Sequence, residues 1–377
     1  MIYLDNAATS WPKPDEVINS IEDCLINYCA NPGRSGHDMA LKTEKEIFKC
    51  RSYICDMFGL DEPSNVIFTF NATHGLNIVI KGLLNSDKHV IVTSMEHNSV
   101  LRPVVSSGAD YDLLMADEFG YVDYNLVESL IKDNTALIIC TLSSNVCGSV
   151  QPFCQIAEIA HRHNIPFLLD ASQGAGNIAL NMKKMNIDFL VAPGHKGLLG
   201  PTGTGILCIN YDTVPESLIE GGTGSDSKLL CQPGYLPDKF ESGTLNVAGI
   251  IGLKSGIEFI NRIGQEEISA KEEMLAKKLA ENLFDIKGVS LKGFDPLRQR
   301  YPVISFVLDG YDCLMLAARL NYEYAIAVRA GYHCAYTAHA SIGTEKTGTV
   351  RVSVGYFNTF DDIDSLSVAL KEIALQS

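Results

Sequence analysis

Between residues 66 and 192 the chain repeats one pattern: a short, nearly continuous apolar run, then a longer stretch with apolar residues at helical spacing. Residues 66–70, 90–93, 136–140, 165–169 and 189–192 are runs of the first kind. Residues 76–84 and 152–163, preceded by 15–29 and 38–58, are stretches of the second kind. A strand that is apolar on both sides has to be covered on both faces, and helical crossovers provide that cover. The pattern predicts an α/β fold built on a mostly parallel sheet. Past residue 249 the pattern changes. Helical spacing over 253–259 and 266–283, strand-like runs at 303–308 and 350–354, and a closing helix over 360–375 predict a smaller α+β unit. A chain of 377 residues also exceeds the roughly 250–300 residues that one core supports, so two domains are expected.

Charge and cysteine usage exclude several classes of function. With 30 basic and 45 acidic residues the net charge is −15, which disfavours nucleic acid or an anionic membrane as the main partner. Eleven cysteines are scattered along the chain with no C-x-x-C pair, so neither a zinc knuckle nor a disulfide framework is expected. His161 and His163 read as a solvated helix face, and no metal site is expected. The N-terminus has no basic, apolar leader, and no apolar run approaches the roughly 20 residues that span a bilayer. The expected location is a reducing cytoplasm. The glycine-rich 221–225 and the polar 343–348 read as loops.

Lys196 lies just past the apolar run 189–192, and Asp170 ends the run 165–169. An amine and a carboxylate, each at the carboxyl end of a buried strand, can meet in the crevice where open α/β sheets bind ligands. That pair suits pyridoxal phosphate. The lysine forms a Schiff base with the aldehyde, and the carboxylate keeps the pyridine nitrogen protonated so that the ring draws electrons. An unrelated lysine and aspartate would give the same coincidence. Thr73, in Asn71-Ala72-Thr73-His74-Gly75, stands where a helix start offers backbone N–H groups to a phosphate, or where a cap is needed. His97 follows a strand and can stack on an aromatic ring or serve as an ordinary loop residue. Asn145 and Gln173 read as partners for a ring hydroxyl or as turn residues. Cys334 follows His333 and lies five residues from Arg329, a setting that favours thiolate if both bases are charged. Arg351 interrupts an alternating strand, where it can grip a carboxylate through two parallel bonds or make a surface ion pair.

These residues sit in motifs that run nearly the length of the chain: Tyr3-Leu4-Asp5-Asn6-Ala7-Ala8-Thr9, Met95-Glu96-His97, Leu169-Asp170-Ala171-Ser172-Gln173, Gly194-His195-Lys196, Phe240-Glu241-Ser242-Gly243-Thr244-Leu245-Asn246, and 329–335. In this order they resemble the class V aminotransferase family of fold-type I pyridoxal phosphate enzymes, most closely its cysteine desulfurase and selenocysteine lyase group. The resemblance implies a large domain over 15–249 with a seven-stranded sheet, and a small domain formed by 250–377 together with 1–14. It implies Lys196 as the Schiff-base lysine, Asp170 on the ring nitrogen, His97 stacked on the ring and Gln173 near the ring oxygen. Thr73 and His195 would meet the phosphate. His74, in place of a more usual acidic residue, is counted with the cofactor contacts. Asn145 and Arg351 would hold the substrate carboxylate, with Arg329 also at the substrate and Arg34 and His37 lining the entrance. Thr244 would reach the phosphate of a second subunit, which implies a homodimer. Pro193 stands where related enzymes often carry a phosphate-binding hydroxyl.

The function so implied is conversion of L-cysteine to L-alanine, with sulfur passed to Cys334 as a persulfide and then to a thiol or a sulfur-acceptor protein. Rival readings are a lyase acting on L-selenocysteine, an aminotransferase or other pyridoxal phosphate lyase that does not use Cys334, and a non-catalytic sulfur carrier. The full set of catalytic residue types argues against the last.

Overall fold

The computed structural model describes residues 1–33 and 36–376. Strand β1 (Ile2–Tyr3) lies apart from the main sheet. The next seven strands build that sheet: β2 (Val66–Thr69), β3 (His89–Thr93), β4 (Asp110–Leu114), β5 (Thr135–Thr141), β6 (Phe167–Asp170), β7 (Phe189–Pro193) and β8 (Gly205–Ile209). Their order is β2-β8-β7-β6-β5-β3-β4. The pairs from β7 to β4 are parallel, and β8 is antiparallel to both β7 and β2. Alternate residues of each strand enter opposite cores, as the two-residue period requires. Phe68, Ile138, Phe167, Leu169, Leu190 and Ile206 face one side. Ile67, Val90, Leu137, Leu168, Phe189 and Leu207 face the other.

Helices cover both faces, and their order follows the alternation of the sequence. They are α1 (Asp15–Asn27), α2 (Asp38–Phe58), α3 (Ala72–Leu83), α4 (Asn98–Ser107), the short α5 (Val127–Leu130), α6 (Phe153–Arg162) and α7 (Val247–Ile263). Helices α1 and α2 pack against α7, and α3 packs against α4. Burying each large aliphatic or aromatic side chain in these layers stabilises the fold by about 1.5–3 kcal/mol. β4 and β8 were not expected from the sequence. β4 is the sheet edge, and its Asp110 and Asp112 break the apolar run while discouraging strand addition from outside.

The remaining chain forms a second sheet in the order β12-β13-β10-β9, all antiparallel. Its strands are β9 (Val289–Lys292), β10 (Val303–Leu308), β12 (Arg329–Gly331) and β13 (Thr349–Ser353). β11 (Ile326–Ala327) pairs instead with β1, in parallel. Helices α8 (Gln265–Phe284), α9 (Cys313–Tyr324), α10 (Tyr336–Ser341) and α11 (Phe360–Ala374) accompany this sheet. Leu4 is fully buried in its core beside Phe306, Val352 and Leu366. The apolar residues of α7 join the core of the large sheet, while α8 gives Ile268 to that core and Leu275, Leu279 and Leu283 to the other. Helix α8 thus contributes to both cores. No helix among the described residues is long and apolar enough to cross a membrane.

Candidate active site

Because β5, β6 and β7 run parallel, their carboxyl ends open on one side of the sheet. A cavity of about 170 Å³ lies there, lined in part by Thr73, His97, Asn145, Asp170, Gln173, Pro193, His195 and Lys196. The turn after β7 carries His195 and Lys196, and close backbone packing shapes it. A Cβ on Gly197 would stand 2.2 Å from the Ala175 carbonyl oxygen, so only glycine lets the turn approach so closely. From the N-terminal segment, four donors converge on the His195 carbonyl: Ser10 N at 3.1 Å, Thr9 Oγ1 at 3.0 Å, Ser10 Oγ at 3.2 Å and Lys13 Nζ at 2.8 Å. Ser10 Oγ also reaches the Lys196 carbonyl at 3.0 Å.

Burial lowers the pKa of Lys196 to about 8, with the nearby Arg351 adding to the effect and Asp170 opposing it. An amine so perturbed is partly neutral at physiological pH, the state that attacks an aldehyde or accepts a proton. Burial, aided by Lys196 and Lys13, lowers His195 to about 4, so its ring is neutral. Its Nδ1 is buried with no protein partner, and so is Gln173 Oε1, whose amide nitrogen donates to the Ala7 carbonyl at 2.8 Å. Buried polar atoms of this kind are satisfied by a polar ligand or by water.

Asp170 ends β6 and is 2 % exposed, with its Oδ1 accepting from Ser172 N at 2.9 Å. His97 caps α4: its Nδ1 accepts from Ser99 N at 3.1 Å and faces Ser99 Oγ at 2.9 Å. Those bonds place the ring proton on Nε2, and burial lowers the ring's pKa, so His97 is neutral. Ser99 Oγ also meets Thr73 Oγ1 at 2.8 Å. Sequence reasoning missed Ser99, a cavity-wall hydroxyl whose only signal was its place two residues after His97. It also missed Glu96, which is fully buried. Glu96 Oε1 accepts from Thr93 Oγ1 at 2.6 Å and Thr141 N at 2.7 Å, while Oε2 has no partner. Burial, with Asp170 adding repulsion, raises its pKa to about 8. Glu96 is therefore neutral at pH 7, and its signal was an acid standing directly between a buried strand and His97.

Arg351 lies on β13, is 1 % exposed and is far from a surface ion pair. Its Nη2 donates to Asp5 Oδ1 at 2.6 Å and its Nη1 to the Asn145 carbonyl at 3.0 Å, while Nε is unpartnered. The Asn145 side chain donates to the His333 carbonyl at 2.7 Å. Arg329 is the cross-strand neighbour of Arg351 and is half-buried, close enough to disfavour charge on Lys196.

Cys334 is exposed in the turn between β12 and α10. It and His333 both adopt positive φ, 58° and 49°, a conformation costing a non-glycine residue about 1–3 kcal/mol. The Cys334 carbonyl accepts from Asn98 N at 2.8 Å, tying this turn to the residue after His97. His333 is not the cation the sequence suggested. It is 3 % exposed, and burial, with Arg351 adding to the effect, drives its pKa well below the ordinary value. The polar 343–348 lies between α10 and β13. His339 Nδ1, on α10, meets Thr344 Oγ1 at 2.7 Å to close the turn that follows the helix.

Other expected site residues stand away from this cavity. His74 stacks on Phe70 at 4.8 Å and lines a separate depression together with Thr244. Its backbone N–H goes to the Asn71 cap, so in this chain the imidazole belongs to that depression rather than to the Lys196 cavity. Thr244 is exposed, and Glu241, three residues before it, grips Arg51 through two bonds of 2.9 and 2.8 Å and accepts from Phe68 N at 2.7 Å. His37 caps α2 by accepting from Ala40 N at 3.3 Å. Arg34 lies outside the described residues.

A mostly parallel seven-stranded sheet with a lysine turn at its carboxyl end is the fold-type I architecture of pyridoxal phosphate enzymes. More narrowly, the chain belongs to the aminotransferase class-V family, whose model matches residues 2–366. A probable cysteine desulfurase of Methanothermobacter thermautotrophicus is 34% identical over 385 residues, covering 99% of this chain and 94% of that protein. The apo structure of a cysteine desulfurase from Thermococcus onnurineus NA1 superposes with a TM-score of 0.93 at 31% identity, covering 100% of this chain and 95% of the other. The cysteine desulfurase CsdA of Escherichia coli, in an S-sulfonic acid form, gives 0.87 at 26% identity over 100% and 94%.

Proposed function

We propose that this chain is a pyridoxal phosphate-dependent cysteine desulfurase that converts L-cysteine to L-alanine and receives the sulfur on Cys334. The observation that carries the reading is the pairing of two features. One is a cavity holding Lys196, Asp170 and His97. The other is an exposed cysteine on a strained turn whose carbonyl is bonded to the residue after His97. The unsatisfied Gln173 Oε1 and His195 Nδ1, together with the neutral-leaning amine of Lys196, fit that cofactor. When bound, pyridoxal phosphate would supply an aldehyde for an amine and a ring that draws electrons from the substrate α-carbon.

Each residue then has a stated task. Lys196 would hold the cofactor and, once released, carry a proton on Nζ between substrate carbons. Asp170 would keep the ring nitrogen protonated, and Glu96, being neutral, adds no competing charge beside it. His97 would cover the ring, while Thr73, Ser99 and His195 would meet the phosphate. Arg351 and Asn145 would orient the α-carboxylate. The Cys334 thiolate would attack the substrate sulfur, forming an S–S bond as the Cβ–S bond breaks. The electron pair of that bond would pass to the substrate carbons, and protonation at Cβ would leave alanine and a Cys334 persulfide. A thiol or an acceptor protein would then reduce that persulfide. Thr244, outside the cavity of its own chain, fits a role across a homodimer interface.

The test is to assay the purified, cofactor-loaded protein with L-cysteine and with L-selenocysteine, quantifying alanine alongside sulfide or selenide. Alanine and sulfide in equal amounts support the reading. Turnover of selenocysteine alone would assign the lyase instead, and transamination without sulfide would refute any role for Cys334.

A further inference from the structure

We infer that Asp5 is an internal stand-in for the substrate α-carboxylate, held on Arg351 until the substrate takes its place. The inference rests on the reading of Arg351 as the residue that holds that carboxylate. A buried guanidinium needs a counter-charge before any substrate arrives. Arg351 has one, since Nη2 donates to Asp5 Oδ1 at 2.6 Å. The two partners differ in exposure: the Arg351 side chain is 1 % exposed and the Asp5 side chain 20 %. Asp5 is thus the more accessible partner of a guanidinium that is tied to the cavity wall through the Asn145 carbonyl. A carboxylate that entered beside it would put two like charges on one cation. Displacing Asp5 avoids that repulsion. The incoming group also gains the Nε–H, which is buried without a partner and can complete a two-bond grip that Asp5 does not make.

The surrounding charges favour a one-for-one exchange. Arg329 is the cross-strand neighbour of Arg351, and Asp5 and Asp170 favour charge on Lys196 where the two arginines oppose it. Replacing one carboxylate by another leaves this balance unchanged, so Lys196 meets similar electrostatics in the empty and the occupied site. Asp5 also begins the segment that holds the lysine turn. Ala7 N donates back to Ser353 Oγ at 2.9 Å, and Thr9, Ser10 and Lys13 converge on the His195 carbonyl. Occupancy at Arg351 is thereby linked mechanically to the turn that carries Lys196. Trp11, in the same segment, donates its backbone N–H to Asn6 Oδ1 at 3.2 Å.

Calorimetric titration of the cofactor-loaded protein with L-alanine and with ethylamine, its carboxylate-free counterpart, tests the exchange in wild type, Asp5→Asn and Asp5→Ser. Removing the competing charge should tighten L-alanine binding about tenfold, the size of one charge-assisted hydrogen bond. The KM for L-cysteine should fall by a similar factor, and ethylamine binding should not change. A purely structural role for Asp5 would instead weaken both ligands together, and unchanged or weaker L-alanine binding in the folded variants overturns the inference. If neither variant folds, a structure of the wild type with L-alanine decides. An opened Asp5–Arg351 contact is expected, and a retained one refutes the exchange. Equal affinity of the wild type for the two ligands would sink the Arg351 reading itself. Failure to form alanine from cysteine would sink the desulfurase reading, yet leave the carboxylate exchange standing on the calorimetry.

Discussion

Replacing Glu96 by Gln isolates the effect of one buried proton. The amide can accept the same bonds from Thr93 Oγ1 and Thr141 N through its oxygen, so the change removes titration and little else. In the folded chain burial raises the Glu96 pKa to about 8, against 4.5 for the free side chain. The folded state therefore binds more protons than the unfolded state between those values, and stability falls as pH rises through that window. Glu96 contributes most below the unfolded pKa of 4.5, and its contribution is lost as pH passes about 8. Integrating the linkage from about pH 5 to about pH 7.5 gives a loss of about 3 kcal/mol, which Glu96→Gln should not suffer. Glu272 is also raised to about 8, so both proteins share its slope and only their difference is informative. Urea unfolding of the two proteins across this range is the assay. Relative to wild type, the variant should become about 3 kcal/mol more stable over the window, shifting the midpoint progressively. A difference independent of pH would mean that Glu96 is ionised in the native state, and that Asp170 shares its surroundings with a second negative charge.

Lys196→Ala should abolish turnover and leave no borohydride-reducible link between protein and pyridoxal phosphate. In the cofactor-free wild type, covalent uptake of pyridoxal phosphate should accelerate as pH rises through about 8, because the amine loses its proton there; a flat profile would contradict the lowered pKa. Cys334→Ala should keep the cofactor but release no sulfide from L-cysteine and yield no persulfide to an alkylating reagent, whereas unchanged release would make Cys334 a bystander. Gly197→Ala would set a Cβ 2.2 Å from the Ala175 carbonyl, so it should cost about 1–3 kcal/mol and weaken cofactor retention, read as a lower Tm and a raised Kd.

The parallel sheet was legible because its strands are buried on both faces, and a continuous apolar run is the direct imprint of that burial. The edge strand β4 was not, since an edge carries charge for a reason unrelated to packing. The strand-end pair Lys196 and Asp170 could be read because Asp170 ends one apolar run and Lys196 follows shortly after another. Helix α4 escaped notice because it is short and carries Pro103 in its interior, a residue that normally reads as a helix breaker. Burial was the property least available from sequence. His333 and Glu96 both carry ionisable side chains, and only the packing around them reveals that neither is charged at pH 7. Long-range contacts were equally hidden: nothing local to Asp5 indicates that its partner stands 346 positions away.

That separation has a consequence for how the protein is made. β1 pairs with β11, Leu4 is buried among residues of α8, β10, β13 and α11, and Asp5 closes on Arg351. At about 5–20 residues per second, a ribosome takes roughly 20–70 seconds to deliver the partners of the first five residues. Through that interval the large sheet can assemble while the opening segment, with its apolar Ile2, Tyr3 and Leu4, has nowhere to go. The segment that supports the lysine turn is thus synthesised well before the elements on which it docks. Chaperones that hold nascent chains would meet it throughout that interval.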